Sequence, residues 1–151
     1  MYHFTKKPLH YEDIKKIKQN KFNLKPAGLW LSKENEWLDF CLEEGFHYSK
    51  QDIIYKYNVQ FNQNRMCIIN TIQKVKELNE KYNFTFFNKK FYINWDEMSK
   101  DYDGIIFDNY KEIRQIIIKD SIDNNLWFLG IDVNCAVIWN IECITSFIEE
   151  Q

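Results

Sequence analysis

The chain has 151 residues, of which 45% are hydrophobic and 28% charged, and its formal net charge is −2. This composition excludes a disordered chain, and the near balance of charge excludes a global attraction to nucleic acid, although a local basic patch would survive it. The length predicts one domain over residues 1–151, since a chain of this size buries roughly 68–70% of its unfolded surface.

The cysteines and histidines are too dispersed to predict a metal site. No Cys-x-x-Cys pair is formed by the four cysteines, which are Cys41, Cys67, Cys135 and Cys143. A zinc site needs clustered ligands, so we predict no metal. The N-terminal residues lack the apolar run of a signal peptide, and no apolar stretch approaches the roughly 20 residues of a membrane span. We therefore expect a soluble, cytoplasmic protein with reduced thiols and no membrane partner.

The first part of the sequence alternates strand-like and helix-like segments. MYHF (1–4) and GLWL (28–31) are typical of short strands, and the amphipathic segment 9–22 between them predicts a helix. Ser32 is a suitable N-cap for the next helix, which Gly45 would end at its C′ position. The predicted order is therefore strand, helix, strand, helix.

Later segments continue this mixture. Alternating apolar and polar residues over 52–61 predict a half-buried strand, and MCII (66–69) predicts a short buried one. Asn70 or Thr71 can cap a helix that follows it. Farther along we predict a helix at 95–102, a segment at 109–120 that fits helix or strand, and strands at 103–107, 126–132 and 135–140. Interspersed strands and helices place the chain in the α+β class.

Four short motifs follow one another along the chain: a strand with His3-x-Thr5, then GLWLS (28–32), then YDGIIF (102–107), and finally CAVIWN (135–140). In this order they resemble the ADP-ribosyltransferase superfamily, in the subgroup built around a His–Tyr–Glu triad. The resemblance implies a compact single domain with a short-stranded split β-sheet and flanking helices. It also implies transfer of ADP-ribose from NAD to an unknown acceptor, either protein or nucleic acid, or hydrolysis of NAD.

The resemblance assigns roles to residues of such a site. His3 and Thr5 would contact the nicotinamide-side ribose and the carboxamide, which a further hydroxyl would support. The nicotinamide ring is flat and cationic, so it is held well between two aromatic faces. Trp30 would supply one face, and Phe40 or Trp37 the other. The expected cofactor-binding residues are thus His3, Thr5, Trp30, Ser32 and Phe40.

The catalytic carboxylate departs from the family pattern. Such a site needs an acid that stabilises the oxocarbenium ion formed as the glycosidic bond breaks and that orients the acceptor. Cys135 stands where the pattern places glutamate. The nearest acid is Asp132, which we predict as the catalytic residue, and Asp103 and Asp108 are alternatives.

Two other functions also fit the sequence. A catalytically inactive relative would bind a nucleotide, a protein or a nucleic-acid end in the same cleft, and the missing glutamate favours this interpretation. An interaction module would instead use the aromatic segment 53–61 as an edge strand or a stacking face. Purely structural roles compete as well, since Trp30 and Trp37 lie in apolar segments and Cys135 is typical of a small buried hydrophobic residue.

Overall fold

A seven-stranded β-sheet is the largest element of the structure. The computed structural model describes residues 1–14, 17–86, 89–120 and 125–150. The strands, in chain order, are β1 (Tyr2–Thr5), β2 (Leu29–Ser32), β3 (Tyr55–Phe61), β4 (Met66–Ile69), β5 (Asn83–Phe86), β6 (Lys89–Ile93), β7 (Gly104–Phe107), β8 (Cys135–Ile138) and β9 (Ile144–Glu150). The helices are α1 (Glu36–Glu43), α2 (Ile72–Tyr82), α3 (Trp95–Asp101), α4 (Tyr110–Asp120) and α5 (Leu126–Leu129).

The order of strands across the large sheet is β4-β7-β8-β2-β1-β3-β9. β4 and β7 run parallel, whereas every other pair of neighbours is antiparallel. β5 and β6 form a separate two-stranded hairpin. The chain is therefore a compact mixed α/β domain with one large sheet and several helices, which confirms the predicted mixture of strands and helices.

The contact between β1 and β2 is the narrowest in the sheet. These strands share a single residue pair, Tyr2 with Ser32, whereas β1 and β3 share four. We call this contact the seam. It divides the sheet into a half made of β4, β7, β8 and β2 and a half made of β1, β3 and β9.

The aromatic segment at 53–61 lies inside the sheet rather than at its edge. Its strand, β3, is hydrogen bonded to β1 on one side and to β9 on the other. Tyr57 and Val59 are buried, as the predicted alternation requires. Because both of its sides are paired, β3 cannot act as the edge strand that the interaction-module interpretation proposed, and the sheet instead ends at β4 and β9.

The sheet lies between two apolar clusters. Successive residues of β8 show this, because Cys135 and Val137 belong to one cluster while Ala136 and Ile138 belong to the other. Side chains of a strand point alternately to its two faces, so each cluster covers one face of the sheet. The larger cluster also contains buried side chains of α2, α3, α4 and α5, including Trp95. β8 is thus buried on both faces.

Local signals account for several of the helix boundaries. The Thr71 hydroxyl accepts a hydrogen bond from the Lys74 amide at 3.2 Å, so Thr71 rather than Asn70 caps α2. Gly45 follows the last turn of α1 with a φ of 64°, as predicted for a C′ glycine. The ambiguous segment 109–120 forms α4, whose buried residues Tyr110, Ile113 and Ile117 recur at helical spacing.

The helix predicted over 9–22 is wrong. Only a 3-10 turn at Tyr11–Asp13 forms there, while residues 15 and 16 lie outside the described residues. The Gln19 side chain donates to the Ala27 carbonyl at 2.6 Å and accepts from the Ala27 amide at 3.0 Å. These two bonds attach the segment to residue 27, beyond its own end, and hold it as a loop.

Two further predictions need correction. The segment 126–132 contains α5 instead of a strand, since a short buried apolar run fits either element and periodicity cannot distinguish them. Ser32 is not an N-cap, because it ends β2 and α1 begins four residues later, after Asn35. The hairpin of β5 and β6 and the last strand, β9, are not predicted at all. Across the described part of the chain, no helix has the length and apolarity needed to cross a membrane.

Candidate functional site

A cleft of about 410 Å³ is lined by residues from both sides of the seam. Its walls come from β1, the loop before β2, β2, α1, the loop after α1, the loop between α5 and β8, and the start of β8. Four of the six residues predicted for the site lie in it: His3, Trp30, Ser32 and Asp132. The other two, Thr5 and Phe40, are not among the lining residues. A cleft of this volume is within the usual range for small-molecule sites.

His3 is held in one tautomer by the neighbouring strand. Its Nδ1 lies 2.9 Å from the Trp30 carbonyl oxygen, which can only accept, so Nδ1 carries the hydrogen. Burial lowers the pKa of His3, so the ring is neutral at neutral pH. The other nitrogen, Nε2, is then an acceptor. His3 can therefore receive a hydrogen bond from a ligand hydroxyl or amide.

Trp30 has a cation beside its ring. The Nζ of Lys25 lies 5.8 Å from the ring centroid, within the range of cation–π attraction. The same Nζ lies 3.9 Å from Oδ2 of Asp132, and both side chains are partly exposed, at 44% and 29%. Ion pairs at such exposure are weakly stabilising, so this contact can open at low cost.

The second aromatic wall is Trp37 rather than Phe40. Both residues lie on the same side of α1, since they are three positions apart. Trp37 lines the cleft, whereas Phe40 stacks on Trp37 with ring centroids 5.6 Å apart and an angle of 27°. Phe40 therefore supports the ring that faces the cleft.

The loop after α1 adds Phe46 and His47, which the sequence did not identify. Gly45 and His47 have positive φ values of 64° and 65°, and the Phe46 amide donates to the Cys41 carbonyl at 2.8 Å. A left-handed histidine is uncommon, and such conformations concentrate at functional sites. Phe46 is 49% exposed and contacts the His47 ring. A glycine at the end of a helix, followed by two aromatic rings, was the available signal.

The two predicted hydroxyl residues differ in position. Ser32 is buried in the cleft wall and its Oγ donates to the Glu34 carbonyl at 3.2 Å, so the oxygen can still accept from a ligand N–H. Thr5 lies at the end of β1, where its Oγ1 accepts a hydrogen bond from the Lys7 amide at 3.3 Å. Only Ser32 is therefore placed to contact a ligand in the cleft.

Of the three predicted acids, Asp132 alone lines the cleft. Asp103 instead accepts a hydrogen bond from the Asn140 side chain at 3.0 Å and lies 3.7 Å from Arg65. Asp108 accepts from the backbone amide of Asn109. The carboxylates of Asp103 and Asp108 therefore have partners outside the cleft.

Cys135, at the position where the resemblance would place a glutamate, is not a reactive group. It is 5% exposed, and burial raises its pKa to about 12. A thiol with such a pKa is protonated at neutral pH and is a poor nucleophile. Cys135 is therefore a structural residue of β8 at the bottom of the cleft.

A function for this chain has to be argued from the residues of the cleft, because the comparisons with known proteins found no match. No family model, no curated protein and no solved structure matches the chain. Within the ranges that the structure describes, no group of three or more His, Cys, Asp or Glu side chains is placed to hold a metal ion. The cleft thus offers aromatic surface, the imidazoles of His3 and His47, the hydroxyls of Tyr2 and Ser32, and the Lys25–Asp132 pair.

Proposed function

We propose that this chain is a divergent ADP-ribosyltransferase-like protein that binds NAD in the cleft and transfers its ADP-ribose to an acceptor or to water. The observation that supports it is the convergence of His3, Trp30, Ser32 and Asp132 on one cleft. These residues come from three separate segments. His3, Trp30 and Ser32 were predicted from the resemblance to that superfamily, and Asp132 was predicted as the acid nearest to the position of its glutamate. The resemblance implies a split sheet, whereas the large sheet is continuous, and the short pairing of β1 with β2 is the feature that comes nearest to a split.

The proposed binding mode assigns each group a role that its chemistry allows. The nicotinamide ring would lie against Trp30, and Trp37 would extend the aromatic wall. Nε2 of His3 would accept a hydrogen bond from a ribose hydroxyl, and Oγ of Ser32 would accept one from the carboxamide N–H. The contact at Nε2 requires a neutral His3, which burial favours.

The proposed reaction requires one carboxylate. When the glycosidic C–N bond breaks, its electron pair leaves with nicotinamide and a positive charge develops on the ribose. The Asp132 carboxylate would stabilise that charge and accept the proton of the attacking water or acceptor hydroxyl. The nucleophile then forms the new bond to the same ribose carbon.

The first test is calorimetric titration of the protein with NAD. We expect saturable one-to-one binding that Ser32→Ala weakens. Ser99→Ala is the matched control, because Ser99 Oγ also donates to a nearby backbone carbonyl, at 2.8 Å, yet does not line the cleft. No heat at millimolar NAD from the folded protein would contradict the proposal.

A catalytically inactive, NAD-binding relative is the second candidate. It is favoured by Lys25, whose ammonium group lies 3.9 Å from the carboxylate of Asp132, the predicted catalytic residue. It is also favoured by Cys135 at the position of the family's glutamate. Under this candidate the protein binds NAD with the same residues but releases no nicotinamide, so a release assay after the titration separates the two.

A further inference from the structure

We infer that Lys25 is an internal cation that competes with the charged ring of a ligand, and so sets the preference of the cleft between oxidised and reduced nicotinamide. The inference rests on the proposed NAD function and specifies the ligand further. It concerns a residue that was not part of the sequence motifs. Lys25 lies in the loop before β2, where it reaches the cleft wall.

Lys25 lies against the two groups that a pyridinium ring would use. Its Nζ is 5.8 Å from the ring centroid of Trp30 and 3.9 Å from Oδ2 of Asp132. An aromatic face and a nearby carboxylate are what attract a flat cation. The ammonium group therefore lies where the positive charge of such a ring would be placed.

The geometry also lets Lys25 leave. Its stem crosses Gly130, where an added Cβ would lie 2.6 Å from Lys25 Cε, so the absence of a side chain at 130 makes room for it. The Lys25 side chain is 44% exposed, so its ammonium group can move away from Trp30 and remain hydrated. An arriving ligand can therefore displace Lys25 from Trp30.

Ligand charge decides what this displacement costs. An oxidised nicotinamide brings a second positive charge to Trp30 and is repelled by Lys25 until the ammonium group moves away. A reduced nicotinamide is neutral and meets no such repulsion. The phosphates of NAD and NADH are alike, so any attraction of Lys25 to them cancels in the ratio of the two dissociation constants.

The experiment compares NAD and NADH binding to wild type, Lys25→Met and Lys119→Met. Methionine keeps a long unbranched side chain and removes the charge, while Lys119 is exposed on α4 away from the cleft and controls for the change in net charge. We expect the ratio Kd(NAD)/Kd(NADH) to fall about two- to fivefold in Lys25→Met, as expected when the repulsion between two partly solvated like charges is removed. Lys119→Met should leave the ratio unchanged.

A second variant makes the test independent of how Lys25→Met folds. Gly130→Ala keeps the charge but pushes the Lys25 stem aside, so we expect it to lower the same ratio. An unchanged or raised ratio in both variants would overturn the role of Lys25 while NAD binding, and with it the proposed function, still stands. Absence of binding of either nucleotide to any of the folded proteins would overturn both.

Discussion

His3 of β1 donates a hydrogen bond from Nδ1 to the backbone carbonyl of Trp30 in β2, over 2.9 Å. The two strands share only one backbone pair, so this side-chain bond is a major link across the seam. It fixes the orientation of the imidazole and holds the two walls of the cleft in register. The residue that would bind a ribose hydroxyl is thereby also a structural residue.

This double role predicts a pH dependence of stability. Burial lowers the pKa of folded His3 below its ordinary value of 6.5, so as pH falls below 6.5 the unfolded chain binds a proton before the folded chain does. The free energy of unfolding should therefore decrease as pH falls through this window. Denaturant unfolding at several pH values would measure it.

The matched variant for that experiment is His3→Gln, which cannot titrate. We expect it to be less stable than wild type by about 1 kcal/mol at neutral pH, because the bond to Trp30 is lost or weakened. Its stability should fall less than that of wild type below pH 6.5. Parallel curves for the two proteins would show that His3 is not the group responsible.

Gly28, packed against β8, and Gly130, in the cleft wall, should respond differently to the same substitution. A Cβ at Gly28 would lie 2.5 Å from Cγ1 of Val137 and 2.7 Å from the carbonyl oxygen of Ile138, both in the central strand β8. A Cβ at Gly130 would meet the flexible end of Lys25, at 2.6 Å. We expect Gly28→Ala to cost about 1–3 kcal/mol, since the sheet cannot yield.

Gly130→Ala should cost less than about 0.5 kcal/mol, because the Lys25 side chain can move into water. Denaturant midpoints of both variants against wild type would measure the difference. Equal losses at the two positions would mean that the 130 loop is as rigid as the sheet, and Lys25 could then not be displaced as we infer.

The sequence predicted elements whose signals are local and missed those that depend on distant partners. A capping threonine at 71, a C′ glycine at 45 and the alternation in β3 are all local, and the structure has each of them. The loop at 9–22 has helix-like apolar spacing, but the bonds between Gln19 and Ala27 override it. Nothing in the segment itself reports such a bond.

The same distinction explains the site. His3, Trp30 and Ser32 were predicted from the resemblance and Asp132 as the nearest acid, yet their proximity follows from strand order, which sequence spacing does not give. Lys25, Phe46 and His47 lie in loops, and the composition of a loop does not indicate which way its side chains point. Side chains of loops reach the cleft only because of the long-range packing around them.

The loop that carries Asp132 depends on a buried amide network. Oδ1 of Asn79 accepts from the Trp127 indole at 2.8 Å, and its Nδ2 donates to Oδ1 of Asn125 at 2.6 Å, which ties α2 to α5. Asn79→Ala leaves the buried indole N–H unpaired and should cost about 1–3 kcal/mol. In a Trp127→Phe background the same change should cost less, and additive effects in this cycle would exclude the bond as the cause.

The thiols should be unreactive in the folded protein. All four cysteines are buried, and burial raises the pKa of Cys135 to about 12 and those of the other three to about 11. We expect negligible labelling by a thiol reagent at mildly alkaline pH, and labelling of all four in denaturant. Peptide mapping that found rapid labelling of Cys135 in the native protein, absent from Cys135→Ala, would reopen thiol chemistry.

The catalytic role proposed for Asp132 can be tested separately from the proposed NAD binding. If its carboxylate stabilises the oxocarbenium ion, Asp132→Asn should lower nicotinamide release by about 10²- to 10⁴-fold while calorimetric binding remains saturable. Asp103→Asn is the matched control, since that acid accepts from Asn140 and lies outside the cleft. It should retain full release. Unchanged turnover in Asp132→Asn would assign the acid elsewhere, and a wild-type protein that binds NAD without releasing nicotinamide would identify the inactive relative.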